Sequence, residues 1–544
     1  MNRRQRRRTT YNLRLAAIGA LIMVLGMYFG SRMNDSPGLR SAFDLPFNFR
    51  KSDKLEEIMD LIEDHYVDSI DFAALERNAL DEILKYLDPH SSYIPASEFK
   101  RMNAKLKGRF DGIGVEFRML NDTVLTVTVE EEGPAGRAGM LAGDKIITVD
   151  GKPVSGKGMA NGAIVGLIRG PEGTTVHLEV KRYKEPEVLE FDVKRGKIPI
   201  GSVEASFMLD EQTGYIKINR FAATTHSEFV LAAGALREQG MTNLVLDLRN
   251  NGGGYLSQAI DMADEFLGRR KLIVYTEGYN YPKEEYYATS NGLFEEGGLV
   301  VLINEGTASA SEVLSGALQD LDRGTLIGRR SFGKGLVQRQ TTFPDGSALR
   351  LTIARYYTPL GRSIQKPYDR GTDVYFQELH RRMESGELYS LDSAGLDFPD
   401  SLKVVTEAGK VLYGGGGIVP DIFVPVDTVG VTAFYRELYA NDLVYDFTYR
   451  FIDQHMDSLS SYANLDEFAT SFVLGDASFV RLLELAREAG VNLPPKEVEA
   501  SGELLKNQIK ALIARRFWGA SGFYKVSLTR DEAILHALEV IDRE

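Results

Sequence analysis

The sequence predicts a multidomain α+β protein, with an α/β core between a β-rich module and helical extensions. Its 544 residues suffice for about three or four domains at roughly 100–200 residues per domain. Three patterns follow one another along the chain: apolar residues at helical spacing, short β-branched runs between glycine turns, and strands alternating with helices. The composition agrees, because 43% hydrophobic and 26% charged residues are ordinary values for a globular protein.

The N-terminal segment predicts export with a membrane anchor. A cluster of arginines within residues 3–14 precedes an uncharged apolar run over residues 15–30, which is typical of an export signal or a signal anchor. The run is slightly shorter than the ~20 residues of a full membrane span, and residues 31–34 offer no convincing cleavage site. We predict an uncleaved anchor over residues 1–35, in preference to a cleaved signal. The arginines then stay in the cytoplasm, and the rest of the chain lies on the periplasmic side of the cell envelope.

The remaining chain divides into four predicted segments. Residues 36–107 begin as a linker with proline and glycine and continue as a helical region, up to a break at Asp88-Pro89-His90. Residues 108–197 form a small β-rich module. Residues 198–428 alternate strands with helices, which indicates an α/β domain. Residues 429–544 predict a mostly helical domain without a motif of clear chemical meaning.

Charge and cysteine content exclude several classes of function. The formal net charge of −13 argues against nucleic acid as the main partner, because phosphate binding requires a basic surface. The chain has no cysteine, which excludes disulfides, zinc–thiolate sites, iron–sulfur clusters and thiol nucleophiles. Any nucleophilic chemistry therefore falls to another type of residue.

A candidate nucleophile follows an apolar strand. Residues 299–303 predict a buried strand, and small residues then lead into a helix from Ala310. Such a turn lifts a short side chain to the end of a sheet, and the unpaired N–H groups at the helix start can stabilise an oxyanion. The alternative is an ordinary helix cap, since Thr307, Ser309 and Ser311 are all suitable N-cap residues.

A candidate base lies in the next glycine-rich segment. The spacing from Gly328 to Gly335 is that of a phosphate-binding loop, but Gly335 occupies the position of the Ser or Thr that holds magnesium, and residues 336–338 predict a strand. Lys334 has apolar neighbours, and burial lowers the pKa of an amine towards neutrality, so that it can deprotonate a serine. None of the seven histidines lies in either glycine-rich segment. The alternative is a solvated surface lysine.

A third motif ends another strand. Residues 244–248 predict a strand, and the glycines at 252–254 follow it closely. Glycines allow close approach of the backbone to a ligand and expose N–H groups. A plain turn is the alternative.

Together these motifs resemble the C-terminal processing peptidases, or tail-specific proteases, of the S41 serine peptidase family. The resemblance extends over about residues 52–425 and implies a crotonase-like α/β peptidase core. The matching motifs are Leu87-Asp88-Pro89-His90-Ser91-Ser92-Tyr93, residues 244–254, Ser309-Ala310-Ser311-Glu312 with Gln319-Asp320, Phe332-Gly333-Lys334-Gly335 with Gln338, residues 345–349 and 354–359, and Gly417-Ile418-Val419-Pro420-Asp421.

The resemblance also implies the reaction. Ser309 is implied to be the nucleophile, and Lys334 the general base and later the acid for the leaving amine. Gln338 is implied to orient the lysine. The expected reaction is endoproteolysis through an acyl-enzyme on Ser309, without a metal or an organic cofactor.

The implied oxyanion hole uses backbone N–H groups. One donor is Ala310, and the other is Gly253, with Gly252 as the alternative. The family usually has proline where Gly252 stands, so the choice between the two glycines stays open. Asp320 matches an acidic family position and is expected to support the structure around the site.

The module of residues 108–197 resembles a PDZ domain. Gly112-Ile113-Gly114-Val115 is similar to the loop that binds a terminal carboxylate, while the bound peptide adds as a strand. The expected substrates are exported proteins or peptides with apolar C-termini. The alternative is a β-module in which Gly-x-Gly is only a turn.

Two other functions stay open. One is a catalytically inactive PDZ scaffold on the same fold, and the other is an acyl-transfer or ligand-binding protein that uses the same core. The sequence leaves open the physiological substrate and the role of residues 429–544. It also leaves the oligomeric state open, with a homo-oligomer as one option.

Overall fold

The computed structural model describes residues 53–289, 292–390 and 399–543. The predicted anchor of residues 1–35 and the linker of residues 36–50 lie outside this part of the chain. Among the described residues, no helix is both long enough and apolar enough to cross a membrane. The mixture of helices and sheets is the α+β architecture that the sequence predicts.

The chain divides into two compact units, one ending at Asn78 and the other beginning at Ala79. The helices in the N-terminal part have apolar residues at helical spacing, as predicted. The helical pattern did not predict the short strand after the break at residues 88–90. The elements up to residue 106 are α1 (Asp53–His65), α2 (Phe72–Lys85), β1 (Ser92–Ile94) and α3 (Ala96–Leu106).

Residues 108–197 form an antiparallel β-module. Its elements are β2 (Arg109–Gly112), β3 (Val115–Leu120), β4 (Thr123–Val129), α4 (Pro134–Arg137), β5 (Lys145–Val149), β6 (Lys152–Pro153), α5 (Asn161–Ile168), β7 (Thr175–Lys181), β8 (Leu189–Lys194) and β9 (Gly196–Pro199). Five strands pair in the order β3-β4-β5-β7-β8, with β6 beside β5, and β2 pairs with β9. Fully buried Val124, Ile146, Leu178 and Val193 belong to its own apolar core.

The next part of the chain contains an α/β core. Its elements are β10 (Val203–Met208), β11 (Thr213–Ile218), α6 (Thr225–Glu238), β12 (Asn243–Asp247), α7 (Leu256–Asp264), β13 (Leu272–Gly278), β14 (Tyr281–Tyr287), β15 (Leu299–Ile303), α8 (Ala310–Asp320), β16 (Thr325–Gly328), β17 (Leu336–Thr342), β18 (Ala348–Tyr357), α9 (Thr372–Phe376), α10 (Glu378–Glu384), β19 (Lys403–Val405), β20 (Val411–Tyr413) and β21 (Ile422–Phe423), with a 3₁₀ turn at Asp400–Leu402.

The central sheet has six strands in the order β10-β11-β12-β15-β16-β21. All neighbours are parallel except β10 and β11. Its central strands are continuous apolar runs because both faces of the sheet are covered. Leu246 and Val301 belong to a core shared with α6, α7 and α8, whereas Val245 and Val300 belong to a second core on the opposite face.

A second, antiparallel sheet has the order β1-β18-β13-β14, with β17 also paired to β18. Strand β1 joins this sheet through the pair Ser92 and Arg350. The carboxylate of Asp88, just before β1, accepts a hydrogen bond from Thr352 Oγ1 at 3.0 Å. The segment of residues 88–94 therefore lies beside the strands that follow Lys334.

The C-terminal part is helical, as predicted. Helices α11 to α15 surround an aromatic-rich core of their own that includes Phe434, Phe468 and Ile509. The last helix, α16, instead contributes Ile534 and Ala537 to the second core of the central sheet. The elements are α11 (Ala433–Ala440), α12 (Leu443–Leu459), α13 (Leu465–Ser471), α14 (Asp476–Glu488), α15 (Pro495–Ser527), a 3₁₀ turn at Leu528–Arg530, and α16 (Glu532–Ile541).

Candidate active site

Ser309 lies on a tight turn between β15 and α8. Its φ of 57° and ψ of −117° form a backbone conformation that residues other than glycine rarely adopt. The turn is held by the Thr307 hydroxyl, which accepts from the Asn304 N–H at 2.9 Å and donates to the Leu248 carbonyl at 2.9 Å. Strain of this kind persists only where surrounding contacts impose it, and it is concentrated at functional sites.

The glycine segment after β12 packs directly against the serine turn. The Asn251 carbonyl accepts hydrogen bonds from the Ala308 N–H at 3.0 Å and from Ser311 Oγ at 2.9 Å. Gly253 has a φ of 91°, and a Cβ at this position would lie 2.7 Å from Ala308 O and 2.9 Å from Ser309 Cβ. Only glycine fits so close a contact with the serine turn.

Backbone donors for an oxyanion line the same cleft as Ser309. The N–H groups of Ala310 and Gly252 have no acceptor among the described residues, whereas the N–H of Gly253 donates to Asn251 Oδ1 at 2.9 Å. Free N–H groups at a helix start can stabilise a negative charge. In this conformation the free glycine donor is Gly252, the alternative that the resemblance left open.

Lys334 lies in the loop after β16, and its amine is bound by the side-chain amide of Gln338. Nζ donates to Gln338 Oε1 at 3.0 Å, and Gln338 Nε2 donates to the His90 carbonyl at 2.9 Å. The backbone of His90 therefore fixes the amide with its oxygen towards the amine. Within the described part of the chain, the amine forms no ion pair and no hydrogen bond with Ser309 Oγ.

The surroundings of Lys334 lower the pKa of its amine. Burial lowers the pKa of Lys334 from 10.5 to about 8, and the positive charge of Arg350 adds to the effect, while Glu312 and Asp88 oppose it. An amine with a pKa of about 8 is about one-tenth neutral at pH 7, against about 0.03% for an ordinary lysine. Lys334 can therefore accept a proton near neutral pH.

Glu312 joins the serine turn to the lysine loop. Its carboxylate, fully buried, accepts the N–H groups of Ser309 and Lys334, each at 2.8 Å, through Oε2. Oε1 accepts the Gly333 N–H at 2.7 Å and Ser331 Oγ at 2.5 Å. Burial raises the pKa of Glu312 to about 7, although these four donors oppose the rise. One side chain thus sets the relative position of the two predicted catalytic residues.

The segment of residues 88–94 fixes the side chain of Gln338 through the carbonyl of His90. Asp88 is buried and accepts hydrogen bonds from the N–H groups of His90 at 2.8 Å and Ser91 at 2.9 Å. His90 Nε2 lies 2.8 Å from the Tyr375 hydroxyl. Burial, with the charge of Lys334, lowers the pKa of His90 to about 3, so its ring is neutral at physiological pH. His90 therefore acts on the site through its backbone carbonyl.

One cleft of about 570 Å³ brings the predicted catalytic and oxyanion residues together. This volume is in the range of about 300–1,000 Å³ typical of ligand sites. Residues 108–197, all of which the structure describes, contribute none of its lining. Among the described residues, no group of His, Asp or Glu side chains is placed to hold a metal ion. The predicted residues that line the cleft are Ser309, Lys334, Gln338, Ala310, Gly252 and Gly253.

The β-module has a smaller pocket of about 210 Å³. The Gly112-Ile113-Gly114-Val115 loop predicted to bind a carboxylate lines it, together with Phe110, Phe117, Val165, Ile168 and Arg169. The loop is held in place because the carbonyls of Ile113 and Gly114 accept hydrogen bonds at 2.8 and 2.9 Å. The Arg169 guanidinium lies 4.2 Å from the centre of the Phe110 ring. The pocket therefore combines apolar side chains with two polar ones, Asn161 and the cationic Arg169.

Family models match three parts of the chain. Peptidase family S41 matches residues 212–373, a PDZ domain matches residues 126–182, and a family of unknown function matches residues 434–519. The carboxy-terminal-processing protease of Bartonella bacilliformis is 37% identical over 321 residues, which are 58% of this chain and 73% of that protein. The chain belongs to peptidase family S41. It is a serine peptidase of the carboxy-terminal-processing type with a PDZ domain.

Other relatives of this S41 peptidase match either a similar portion of the chain or its PDZ domain alone. A probable CtpA-like serine protease of Staphylococcus aureus is 36% identical over 315 residues, which are 57% of this chain and 62% of that protein, less than two thirds of its length. The photosystem II D1 C-terminal processing protease is 31% identical, with a TM-score of 0.34 and coverage of 59% of this chain and 85% of that one. The PDZ domain of a Vibrio cholerae carboxy-terminal protease is 30% identical, with a TM-score of 0.15 and coverage of 16% and 97%.

The sequence assigned no role to three residues near the predicted dyad of this S41 peptidase. Glu312 is three residues after Ser309, and this Ser-x-x-Glu spacing is a helix-capping pattern that could have indicated the contact. His90 acts through a backbone atom, and Arg350 reaches the cleft from a strand paired to β17. The family motif at residues 87–93 includes His90 but does not indicate this role, and nothing in the local sequence indicates Arg350.

Proposed function

We propose that this S41 peptidase cleaves peptide bonds with Ser309 as the nucleophile and Lys334 as the general base. One observation carries the proposal. A lysine amine without a carboxylate partner among the described residues lines the same cleft as a serine hydroxyl on a strained turn. An unpaired amine of lowered pKa is what a serine nucleophile needs as a base.

The proposed reaction has two halves. Ser309 Oγ attacks the carbonyl carbon of the scissile bond while Lys334 Nζ takes the hydroxyl proton, and the N–H groups of Ala310 and Gly252 or Gly253 stabilise the oxyanion. Lys334 then gives its proton to the leaving amine, which leaves an ester on Ser309. Water, deprotonated by the same lysine, hydrolyses the ester.

The amine must move to begin this reaction. Its hydrogen bond to Gln338 Oε1 holds it within the cleft but does not join it to Ser309 Oγ. Catalytic hydrogen bonds are often long in free enzymes and tighten only when the substrate binds. A rotation about the lysine side-chain bonds, with Gln338 as the retained partner, is the movement that the proposal requires.

We propose that the PDZ pocket binds the C-terminus of the substrate. The free carboxylate would be bound by backbone N–H groups of the loop at residues 112–115, while the peptide adds as a strand. The apolar lining from Phe110, Ile113 and Ile168 favours an apolar terminal side chain. Amidation of a tail peptide should abolish its binding, whereas a change from terminal alanine to valine should preserve it.

The cellular setting is also a proposal and rests on the sequence alone. An uncleaved anchor at residues 1–35 would hold the enzyme at the membrane with its remaining domains exported, and the residues concerned lie outside the described chain. We propose the domain borders 36–107, 108–197, 198–428 and 429–544. The mass of the protein isolated from cells tests the anchor, since cleavage of residues 1–35 would remove about 3–4 kDa of the 60.5 kDa chain.

Cleavage assays with purified variants test the catalytic proposal. The substrate is an unfolded protein with an apolar C-terminal tail, and the variants are Ser309→Ala, Lys334→Ala and, as a matched control, Ser227→Ala on the exposed face of α6. We expect the first two to lose all cleavage and the control to retain it. Cleavage by Ser309→Ala would overturn the proposed nucleophile. Tail binding without cleavage by the wild type would favour the inactive scaffold.

A further inference from the structure

The charged side chains of the active-site cleft all have the same sign. Arg220, Lys334 and Arg350 line it, and no Asp or Glu is among its described lining residues. The whole chain has the opposite balance, with 77 acidic residues against 64 lysines and arginines. A cleft with one sign of charge concentrates ligands of the other sign. The cleft therefore favours a negatively charged segment of substrate.

Arg350 lacks an acidic partner of the kind that Arg330 and Arg362 have. Arg362 pairs with Asp320, and Arg330 pairs with Glu387 at 2.8 Å. Arg350 is half-buried, and its Nη2 lies 3.2 Å from the sulfur of Met102. Among the described residues it forms no ion pair, and burial alone lowers its pKa. A partly desolvated guanidinium without a carboxylate is costly unless a ligand supplies one.

Asp88 is the carboxylate that hydrogen-bonds to β18, the strand of Arg350, and its oxygens already accept several hydrogen bonds. Asp88 accepts from Thr352 Oγ1 on β18, and also from His90 and Ser91. It forms no ion pair with Arg350 in the described chain. Asp88 therefore does not neutralise the guanidinium of Arg350. The remaining N–H donors of the guanidinium are available to a ligand in the cleft.

The strand register places Arg350 close to Gln338, the residue that binds the amine of Lys334. Arg350 lies directly opposite Gln340 on β17, and Gln338 lies two residues further along, opposite Thr352. Side chains two residues apart share one face of a strand, and a diagonal pair of this kind is about 7–8 Å apart. A substrate side chain bound by Arg350 would thus belong to a residue next to the scissile bond.

We propose that Arg350, assisted by Arg220, determines specificity by binding an acidic side chain of the substrate close to the scissile bond. The inference rests on the proposed cleavage at Ser309. A guanidinium presents paired N–H donors that match the two oxygens of a carboxylate, and such charge-assisted pairs are stronger than neutral ones. Lowering the pKa of Lys334 is a second effect of the same charge, and it would act equally on every substrate.

Matched peptides test the inference. Each pair has the same apolar tail and differs by Asp against Asn, or Glu against Gln, at one of the three positions on either side of the cleaved bond. The measured quantity is the ratio of kcat/KM for the acidic and the amide peptide. We expect a ratio of about 10–100 at one position or more in the wild type, falling towards one in Arg350→Gln and remaining partly in Arg350→Lys.

The control is Arg355→Gln. Arg355 is an exposed arginine on the same strand, bound to the Tyr368 hydroxyl at 3.0 Å and absent from the cleft lining. It should keep the wild-type ratio. A change in the pKa of Lys334 cancels in the ratio because both peptides use the same base. If Arg350→Gln does not fold, raising the salt concentration should lower the ratio in the wild type.

The outcomes separate the inference from the proposed function. A wild-type ratio near one at every position, or a ratio unchanged in Arg350→Gln, overturns the role of Arg350 while leaving cleavage at Ser309 intact. Cleavage of either peptide by Ser309→Ala overturns the proposed nucleophile instead. A preference for acidic peptides that only Arg220→Gln removes assigns the specificity to Arg220 and not to Arg350.

Discussion

Replacing Glu312 by glutamine tests whether one buried carboxylate holds the active site together. Oε2 accepts two backbone N–H groups, those of Ser309 and Lys334, and Oε1 accepts the Gly333 N–H and the Ser331 hydroxyl. A glutamine amide has one oxygen and one NH2 group. At least one backbone N–H group must therefore face a donor in place of an acceptor.

The size of the effect follows from the number of donors left unpaired. If the amide oxygen faces Ser309 and Lys334, the Ser331 hydroxyl can turn to accept, and only the Gly333 N–H is lost. If the amide is reversed, two N–H groups are lost. A buried donor without an acceptor costs about 1–3 kcal/mol, so we expect the free energy of unfolding to fall by about 1–3 kcal/mol or, for the reversed amide, about 2–6 kcal/mol.

Activity should fall further than stability alone explains. Glu312 does not line the cleft, so KM should change little. Displacing the serine turn relative to the lysine by about 1 Å can cost about 100-fold in rate, and we expect a loss in kcat of that order. The assay measures kcat and KM on a tailed peptide, with denaturant unfolding in parallel, and compares the exposed Glu238→Gln as a control. A Glu312→Gln enzyme with wild-type kcat and wild-type stability would refute the reasoning.

Three further predictions concern pH, the glycine contact and the C-terminal helix. Because only the neutral amine accepts a proton and burial lowers the pKa of Lys334 to about 8, kcat/KM should rise with pH through a midpoint near 8, from about one-tenth of its maximum at pH 7 to about nine-tenths at pH 9; a midpoint near that of an ordinary lysine contradicts this base. Gly253→Ala would set a Cβ 2.7 Å from Ala308 O, so kcat should fall about 100-fold or more while calorimetry shows unchanged binding of a tail peptide to the PDZ domain; full activity would show that the turn can yield. Asp531 caps α16 through the N–H groups of Ala533 and Ile534 and pairs with Arg249 Nη1 at 2.7 Å. Urea unfolding should show a loss of about 1 kcal/mol in Asp531→Asn, which keeps a capping oxygen, and about 1 kcal/mol more in Asp531→Ala; equal stability of the two variants would contradict the role of the cap.

Local patterns in the sequence predicted the strands at residues 244–248 and 299–303 and the helix from Ala310, and the family resemblance predicted the serine and lysine that meet in the cleft. The apolar run at residues 299–303 and the glycines at 252–254 have short-range signals, because a buried strand and a close backbone contact each dictate their own residue types. Ser309 and Lys334 could be paired in advance through the family resemblance, and both line the cleft. Their catalytic roles stay predictions until the variants are measured.

The contacts that the sequence did not predict are long-range. Strand β1 is only three residues long and pairs with a strand more than 250 positions later through Ser92 and Arg350. The oxygen of His90 that holds Gln338 is a backbone atom and has no signature in the residue type. Gly252 was the less favoured oxyanion donor, and its availability depends on which N–H the Asn251 side chain binds, which only the folded backbone decides.

Residues Glu532–Ile541 form the last helix, α16, which packs on the central sheet. Strands β12 and β15 are apolar on both faces, and α16 covers the face opposite α6, α7 and α8. Its N-cap residue also contacts the end of β12, because Asp531 pairs with Arg249, and Arg249 binds the buried Asp247. The glycines at 252–254 follow within a few residues of this pair. The position of the proposed oxyanion donors therefore depends on a helix more than 270 residues away in the chain.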